Sequence, residues 1–169
     1  MKVSLRSATD RDLELMMAWR SSPLVFQGFY TQRQPLEWDE HVGWWFSRNK
    51  DWRTFIIEYA GRDVGTVTIG NLDHWCPELG VMIGETTLWG RGIGTAAIEE
   101  AIKWLREYAI SYPYIVACRT TIKDSNIASK KLFLKCDFKW MAVARSGESW
   151  YNRTLEVRDV VIQGNQRGN

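Results

Sequence analysis

Leu88-Trp89-Gly90-Arg91-Gly92-Ile93-Gly94-Thr95-Ala96 decides how this 169-residue chain is read. Three glycines stand at every second position, where a helix-like stretch opens and runs towards Ile110. A strand-like run, Glu78 to Ile83, ends just before them. Glycines at a helix start leave backbone N–H groups bare at the positive end of the helix dipole, with no side chains to hold a ligand off. That arrangement suits a phosphate-bearing ligand. A P-loop is excluded, because the chain contains no Gly-x-x-x-x-Gly-Lys-[Ser/Thr] string. Gly92-Ile93-Gly94-Thr95-Ala96-Ala97 fits the spacing of a dinucleotide fingerprint. That fingerprint, however, follows directly on a strand and wants an acidic residue at the end of the next one. Here Glu85 to Leu88 intervene, and the next strand ends Cys118-Arg119-Thr120. A glycine-rich helix start with no ligand is the third reading of the glycines alone.

Outward from this loop, the chain alternates strands and helices. Lys2 to Arg6 alternates and reads as a first strand. Thr9-Asp10-Arg11-Asp12 opens a helix in which Leu13, Met16, Met17 and Arg20 share one face, and Ser21-Ser22-Pro23 breaks it. Residues 24 to 34 look irregular, and Pro35 to Arg48 reads as a second helix. Thr54 to Tyr59 and Asp63 to Ile69 form a hairpin about Ala60-Gly61-Arg62, which Glu78 to Ile83 extends. After the glycine helix come a short strand, Ile115 to Thr120, and a helix capped by Asp124 or Ser125. Phe138 to Ala144 and Tyr151 to Val161 close the chain as two strands around Ser146-Gly147-Glu148. The order β-α-α-β-β-β-α-β-α-β-β predicts one α/β domain, residues 1–162, with a mixed central sheet flanked by helices. Residues 163–169 read as a loose polar tail.

Composition narrows the class. Hydrophobic content of 45% and charged content of 25% fit a single globular core. No apolar run approaches the roughly 20 residues that span a bilayer, and in Met1-Lys2-Val3-Ser4-Leu5-Arg6 a charge interrupts the segment before a signal-peptide core forms. A cytoplasmic protein with no membrane partner is expected. Three widely spaced cysteines, Cys76, Cys118 and Cys136, suit reduced thiols better than a disulfide framework. His74-Trp75-Cys76 is too sparse for zinc, so no metal is expected. A net charge of +2 argues against a nucleic-acid partner. Most of the ten tryptophans must line the core or a pocket, because each buries a large area.

Trp89-Gly90-Arg91-Gly92-Ile93-Gly94 resembles the acyl-CoA pyrophosphate loop of the GNAT N-acetyltransferase superfamily, [Gln/Arg]-x-x-Gly-x-[Gly/Ala]. The Trp-Gly-x-Gly form is similar to the branch with ribosomal-protein N-terminal and nucleotide-amino-sugar acetyltransferases. Asn126-Ile127-Ala128-Ser129-Lys130-Lys131-Leu132-Phe133-Leu134-Lys135-Cys136-Asp137-Phe138 resembles the second GNAT signature, with Asp137 where Gly is usual. The two segments lie about thirty residues apart in the family's order. His41-x-x-Trp44-Trp45-Phe46, followed by Trp52-Arg53-x-Phe55, resembles the nucleotide-amino-sugar branch more loosely.

The resemblance implies acetyl-CoA as acyl donor, a primary amine as acceptor and direct transfer between them. Arg91, Gly92, Ile93, Gly94 and Thr95 would cradle the diphosphate, and Lys130 would reach a CoA phosphate. On the strand from Glu78, alternation places Leu79, Val81 and Ile83 in the core, with Glu78, Gly80, Met82 and Gly84 on the other face. The pantetheine arm is expected along this strand, at Met82, Ile83 and Gly84. Glu78, thirteen residues before Arg91, stands near the family's general base. A base is needed because an amine is mostly ammonium at neutral pH. The alternative for Glu78 is a strand-end ion pair. The family's Tyr acid is replaced by Phe133, which leaves Ser129 or water to protonate the thiolate. Asn126 resembles a family residue near the thioester and is equally a helix N-cap. Phe29, Tyr30, His41, Trp44 and Trp45 are the acceptor-side candidates. The favoured acceptor is a small molecule such as a nucleotide-linked amino sugar. A protein N-terminal amine, or a non-catalytic acyl-CoA-binding module, stays open, as does a monomer or homodimer.

Overall fold

Alternating β-branched and aromatic residues build four consecutive antiparallel strands, β1 (Val3–Ser7), β2 (Arg53–Tyr59), β3 (Arg62–Gly70) and β4 (Glu78–Ile83). The computed structural model describes residues 2–29, 32–48 and 50–155. The β2–β3 turn uses Ala60 and Gly61, both at positive φ, the geometry that matches a tight hairpin to strand twist. Beyond β4 the sheet continues with β5 (Ala117–Lys123), β6 (Lys139–Arg145) and β7 (Glu148–Thr154), in the order β1-β2-β3-β4-β5-β7-β6. β4 and β5 run parallel. A parallel pair needs a crossover, supplied here by α4 (Ile93–Ser111).

α4 carries the core. Ile93, Ala97, Ile98, Ala101, Ile102, Leu105 and Ala109 recur at helical spacing and are all buried against the sheet. Ile98, Ile102 and Leu105 have no exposed surface, each contributing about 2–3 kcal/mol of burial. α5 (Ile127–Lys135) packs beside it, so closely that a side chain at Gly94 would strike Leu132. On the opposite sheet face, α1 (Leu13–Ser21) and α2 (Pro23–Phe26) place Trp19 and Val25 against Met82 in a second, smaller cluster. α3 (Trp38–Ser47) packs on α1.

The mixed sheet flanked by helices is the architecture read from the sequence. Several details differ. Pro23 starts α2 instead of ending helical structure, because its fixed φ suits the first helical position. α3 begins at Trp38, three residues after Pro35. β5 runs on to Lys123, since Thr120 and Ile122 keep alternating inward through a stretch that reads as polar. A 3-10 turn, Thr86–Leu88, separates β4 from the glycine loop. The expected final strand is observed from Glu148 to Thr154; its residues 156–161 and the tail 163–169 lie outside the described residues, as does Tyr30.

Candidate functional site

The site is built around a gap in the sheet. β4 and β5 share a single bridge, Glu78 with Arg119, and their pairing ends there. Which backbone groups line the gap follows from register. The Gly84 N–H donates to the Val64 carbonyl at 2.9 Å, so Gly84, Met82 and Gly80 spend their backbone groups on β3. On the other side, the Arg119 N–H donates to the Pro77 carbonyl at 2.9 Å. The odd-numbered residues Leu79, Val81 and Ile83 therefore turn theirs towards β5, and beyond Leu79 they have no ladder partner.

This corrects the expected pantetheine contacts. Met82 and Gly84 are bonded to β3, and Met82 is buried under Trp19. The glycines on their face are not open either. A side chain at Gly84 would overlap the Trp19 ring, and one at Gly80 would meet the Thr68 hydroxyl. Those glycines admit neighbouring protein groups. Of the three expected residues, Ile83 alone faces the gap.

The glycine loop lies at the carboxyl end of β4. Gly90 and Gly92 have φ of 74° and 80°, a region L side chains rarely adopt, and Gly92 is the N-cap of α4. The first intrahelical bond is Ala96 N–H to Gly92 carbonyl. The N–H groups of Ile93, Gly94 and Thr95 thus lack helical acceptors. The first turn of α4 holds no acidic side chain, and Arg91 beside it is exposed. Trp89 reaches back from the loop: its indole N–H donates to the Ile83 carbonyl at 2.8 Å.

Glu78 sits at the closed end of the gap. The Thr121 hydroxyl donates to its Oε1 at 2.7 Å, and the Arg119 Nε lies 3.3 Å from its Oε2. The strand-end ion pair is present, and the carboxylate is oriented by two β5 side chains. Neither partner was found from sequence; their spacing of two along β5 is the signal, hidden because the strand reads as ending at Thr120. Asn126 caps α5, accepting from the Ser129 N–H at 3.0 Å, and its Nδ2 donates to the Gly28 carbonyl at 3.2 Å. The half-buried Ser129 follows on the same helix. Lys130 pairs with Asp124 at 3.5 Å. Phe133 is buried, edge-on to Phe138 at 5.0 Å.

The acceptor-side aromatics divide. His41 is 2% exposed, its Nε2 bonded to the Leu13 carbonyl at 3.1 Å and its ring stacked on Trp44. Burial holds its pKa below the usual imidazole value. It joins α3 to α1 and is not on a ligand surface. Trp44 and Trp45 are half-buried, with the Arg48 guanidinium 4.5 and 3.9 Å from their ring centres. Arg20 lies 5.0 Å from the Phe29 centroid and 5.6 Å from that of Trp44. Burial pushes the Arg48 pKa down to about 10 and lowers that of Arg20. Of the four described candidates, Phe29 lines a cavity of about 470 Å³, with Phe26, Gln27, Gln32, Arg33, Lys123 and the Ser146-Gly147-Glu148 turn. The sequence reading reached this lining only at the aromatic residues Phe26 and Phe29, because it joins the α2 exit, the end of β5 and the β6–β7 hairpin. Among the described residues, no group of three His, Cys, Asp or Glu is placed to hold a metal, and no helix is long and apolar enough to cross a membrane.

The fold as a whole is shared with acetyltransferases of known structure. Aminoglycoside acetyltransferase AAC(6')-Ib, solved with coenzyme A, superposes with a TM-score of 0.78 at 13% identity, over 92% of this chain and 96% of that one. Spermidine N-acetyltransferase from Vibrio cholerae, solved with CoA and spermine, gives 0.75 at 16% identity, over 90% and 95%. A domain from Methanocaldococcus jannaschii gives 0.84 at 39% identity, over 91% and 99%. The model of the acetyltransferase (GNAT) domain matches residues 2–139, and the chain belongs to this family. An uncharacterized protein of Methanocaldococcus jannaschii is 41% identical over 157 residues, 91% of this chain. The chain spans about a third (31%) of that relative's length.

Proposed function

We propose that this chain transfers an acetyl group from acetyl-CoA to the primary amine of a small, anionic acceptor, in the favoured form a nucleotide-linked amino sugar. The observation that carries the donor half is the free edge of β4 beside the glycine loop. An extended amide-bearing arm pairs with Leu79, Val81 and Ile83 as an added strand, and its diphosphate meets the N–H groups of Ile93, Gly94 and Thr95 with Arg91. Two proteins of the same fold were solved with CoA bound, which supports acetyl-CoA as the donor.

In the reaction the amine nitrogen attacks the thioester carbonyl carbon, and Glu78 takes the amine proton, directly or through water. A strand-edge N–H stabilises the oxyanion. Collapse breaks the C–S bond, and the CoA thiolate takes a proton from Ser129 or water. No metal enters the scheme.

The acceptor class follows from charge. Relatives of this fold bind polycations such as spermine. A polycation calls for excess carboxylate, whereas the cavity beside Phe29 has the opposite balance. Arg33 and Lys123 line it, Arg20 stands behind Phe29, and Glu148, the one carboxylate among the described lining residues, lies 3.1 Å from the Arg145 Nε. Phe26 and Phe29 offer apolar faces to a sugar or base. The test is CoA thiol release from acetyl-CoA with nucleotide-linked amino sugars, spermine, an aminoglycoside and a short peptide with a free N-terminus. Release with the nucleotide-linked amines alone is expected. Preference for spermine would overturn the acceptor assignment, and preference for the peptide would favour a protein N-terminal acceptor.

A further inference from the structure

Trp89 is a loop side chain bonded to the free edge of β4. Its backbone N–H donates to the Thr86 carbonyl at 3.1 Å, which anchors it to the 3-10 turn, and its indole N–H donates to the Ile83 carbonyl at 2.8 Å. The residue remains 46% exposed. By register the Ile83 carbonyl faces the gap, and it is the last such group on the strand. With that acceptor filled, an arm lying along β4 finds open groups from the Leu79 carbonyl to the Ile83 N–H and no further. It must leave the strand there. The next donors it meets are the N–H groups that open α4, four to six residues beyond Trp89 in the chain.

We propose that Trp89 is a positioning residue for the acyl donor. Its indole bond to Ile83 holds the glycine loop against β4, so that one CoA molecule engages the strand edge and the helix N-terminus together. This rests on the donor site described above. A hydrogen bond from a half-exposed side chain to a strand carbonyl adds nothing to the chemistry of transfer. Its effect belongs to binding.

Trp89→Phe keeps the aromatic ring and removes the N–H; Trp89→Leu removes both. Calorimetric titration with CoA, alongside steady-state kinetics with acetyl-CoA, reads the consequence. Trp89→Phe is expected to weaken CoA about fivefold, the net worth of one hydrogen bond, and to raise KM for acetyl-CoA in proportion. kcat at saturating donor should fall less than twofold, a split that general structural damage does not produce. Trp89→Leu should weaken CoA at least as much. Unchanged binding by Trp89→Phe, with normal binding by the wild type, overturns the role. Tighter binding also overturns it, because the indole would then be obstructing an acceptor that the ligand wants. A wild-type protein that fails to bind CoA overturns instead the donor site itself.

Discussion

At the scale of single residues, the general-base candidate is defined by what holds it. Glu78 has one oxygen on the Thr121 hydroxyl and the other beside Arg119, at the point where β4 and β5 part. Such a carboxylate is fixed in direction, which a base acting on one amine requires. Glu78→Gln keeps the shape and removes the proton acceptor. It should lower kcat at neutral pH roughly 100-fold while CoA affinity changes little. Calorimetry and a pH–rate profile check both halves; an unaltered profile would remove Glu78 from the chemistry. Its position was legible as a strand-start carboxylate at a set distance from the glycine loop. Its partners were not, because they come from a strand distant in sequence. The same limit applies to His41, Trp44 and Trp45. Helical spacing puts them on neighbouring positions, but it does not say that Leu13 takes the imidazole or that Arg48 covers both indoles.

At the scale of elements, the end of α5 explains its signature. The Phe138 N–H donates to the Phe133 carbonyl at 3.1 Å, and Asp137 between them has φ 60°. This is a Schellman termination, with Phe133 and Phe138 as its accompanying apolar contact. The position wants glycine, and Asp occupies it at a cost. Asp137→Gly should therefore stabilise the fold by about 1 kcal/mol, raising Tm by roughly 2–4 °C. A lower Tm would show that Asp137 makes a compensating contact. β4 was legible to the residue, and α4 nearly so, because an apolar run closed by Gly84 and a long apolar stripe leave little choice. α2, the 3-10 turn and the end of β5 were not. Their short sequences take shape from what they pack against.

For the whole molecule, Arg6 on the edge strand β1 ties separate segments together. It lies 2.7 Å from Asp12 and 2.6 Å from Asp63. The Arg6 guanidinium, together with the Thr9 N–H, holds the Asp12 carboxyl down at a pKa of about 2. A carboxylate depressed in the folded state stabilises it fully above its unfolded value near 3.8, and this is lost as pH falls through about 2. Asp12→Asn should cost about 2 kcal/mol at neutral pH, and its deficit against the wild type should shrink between about pH 4 and pH 2. Urea unfolding across that range checks it; a deficit independent of pH would assign the loss to packing instead.

The splayed sheet is the feature on which the functional reading depends. Amide hydrogen exchange along β4, with and without acetyl-CoA, tests it most directly. The N–H groups of Val81 and Ile83 face the gap, whereas those of Met82 and Gly84 are already bonded to β3. Acetyl-CoA should slow exchange at Val81, Ile83, Gly94 and Thr95 and leave Met82 and Gly84 as they were. Protection absent from Val81 and Ile83, with the ligand bound, would contradict the donor site.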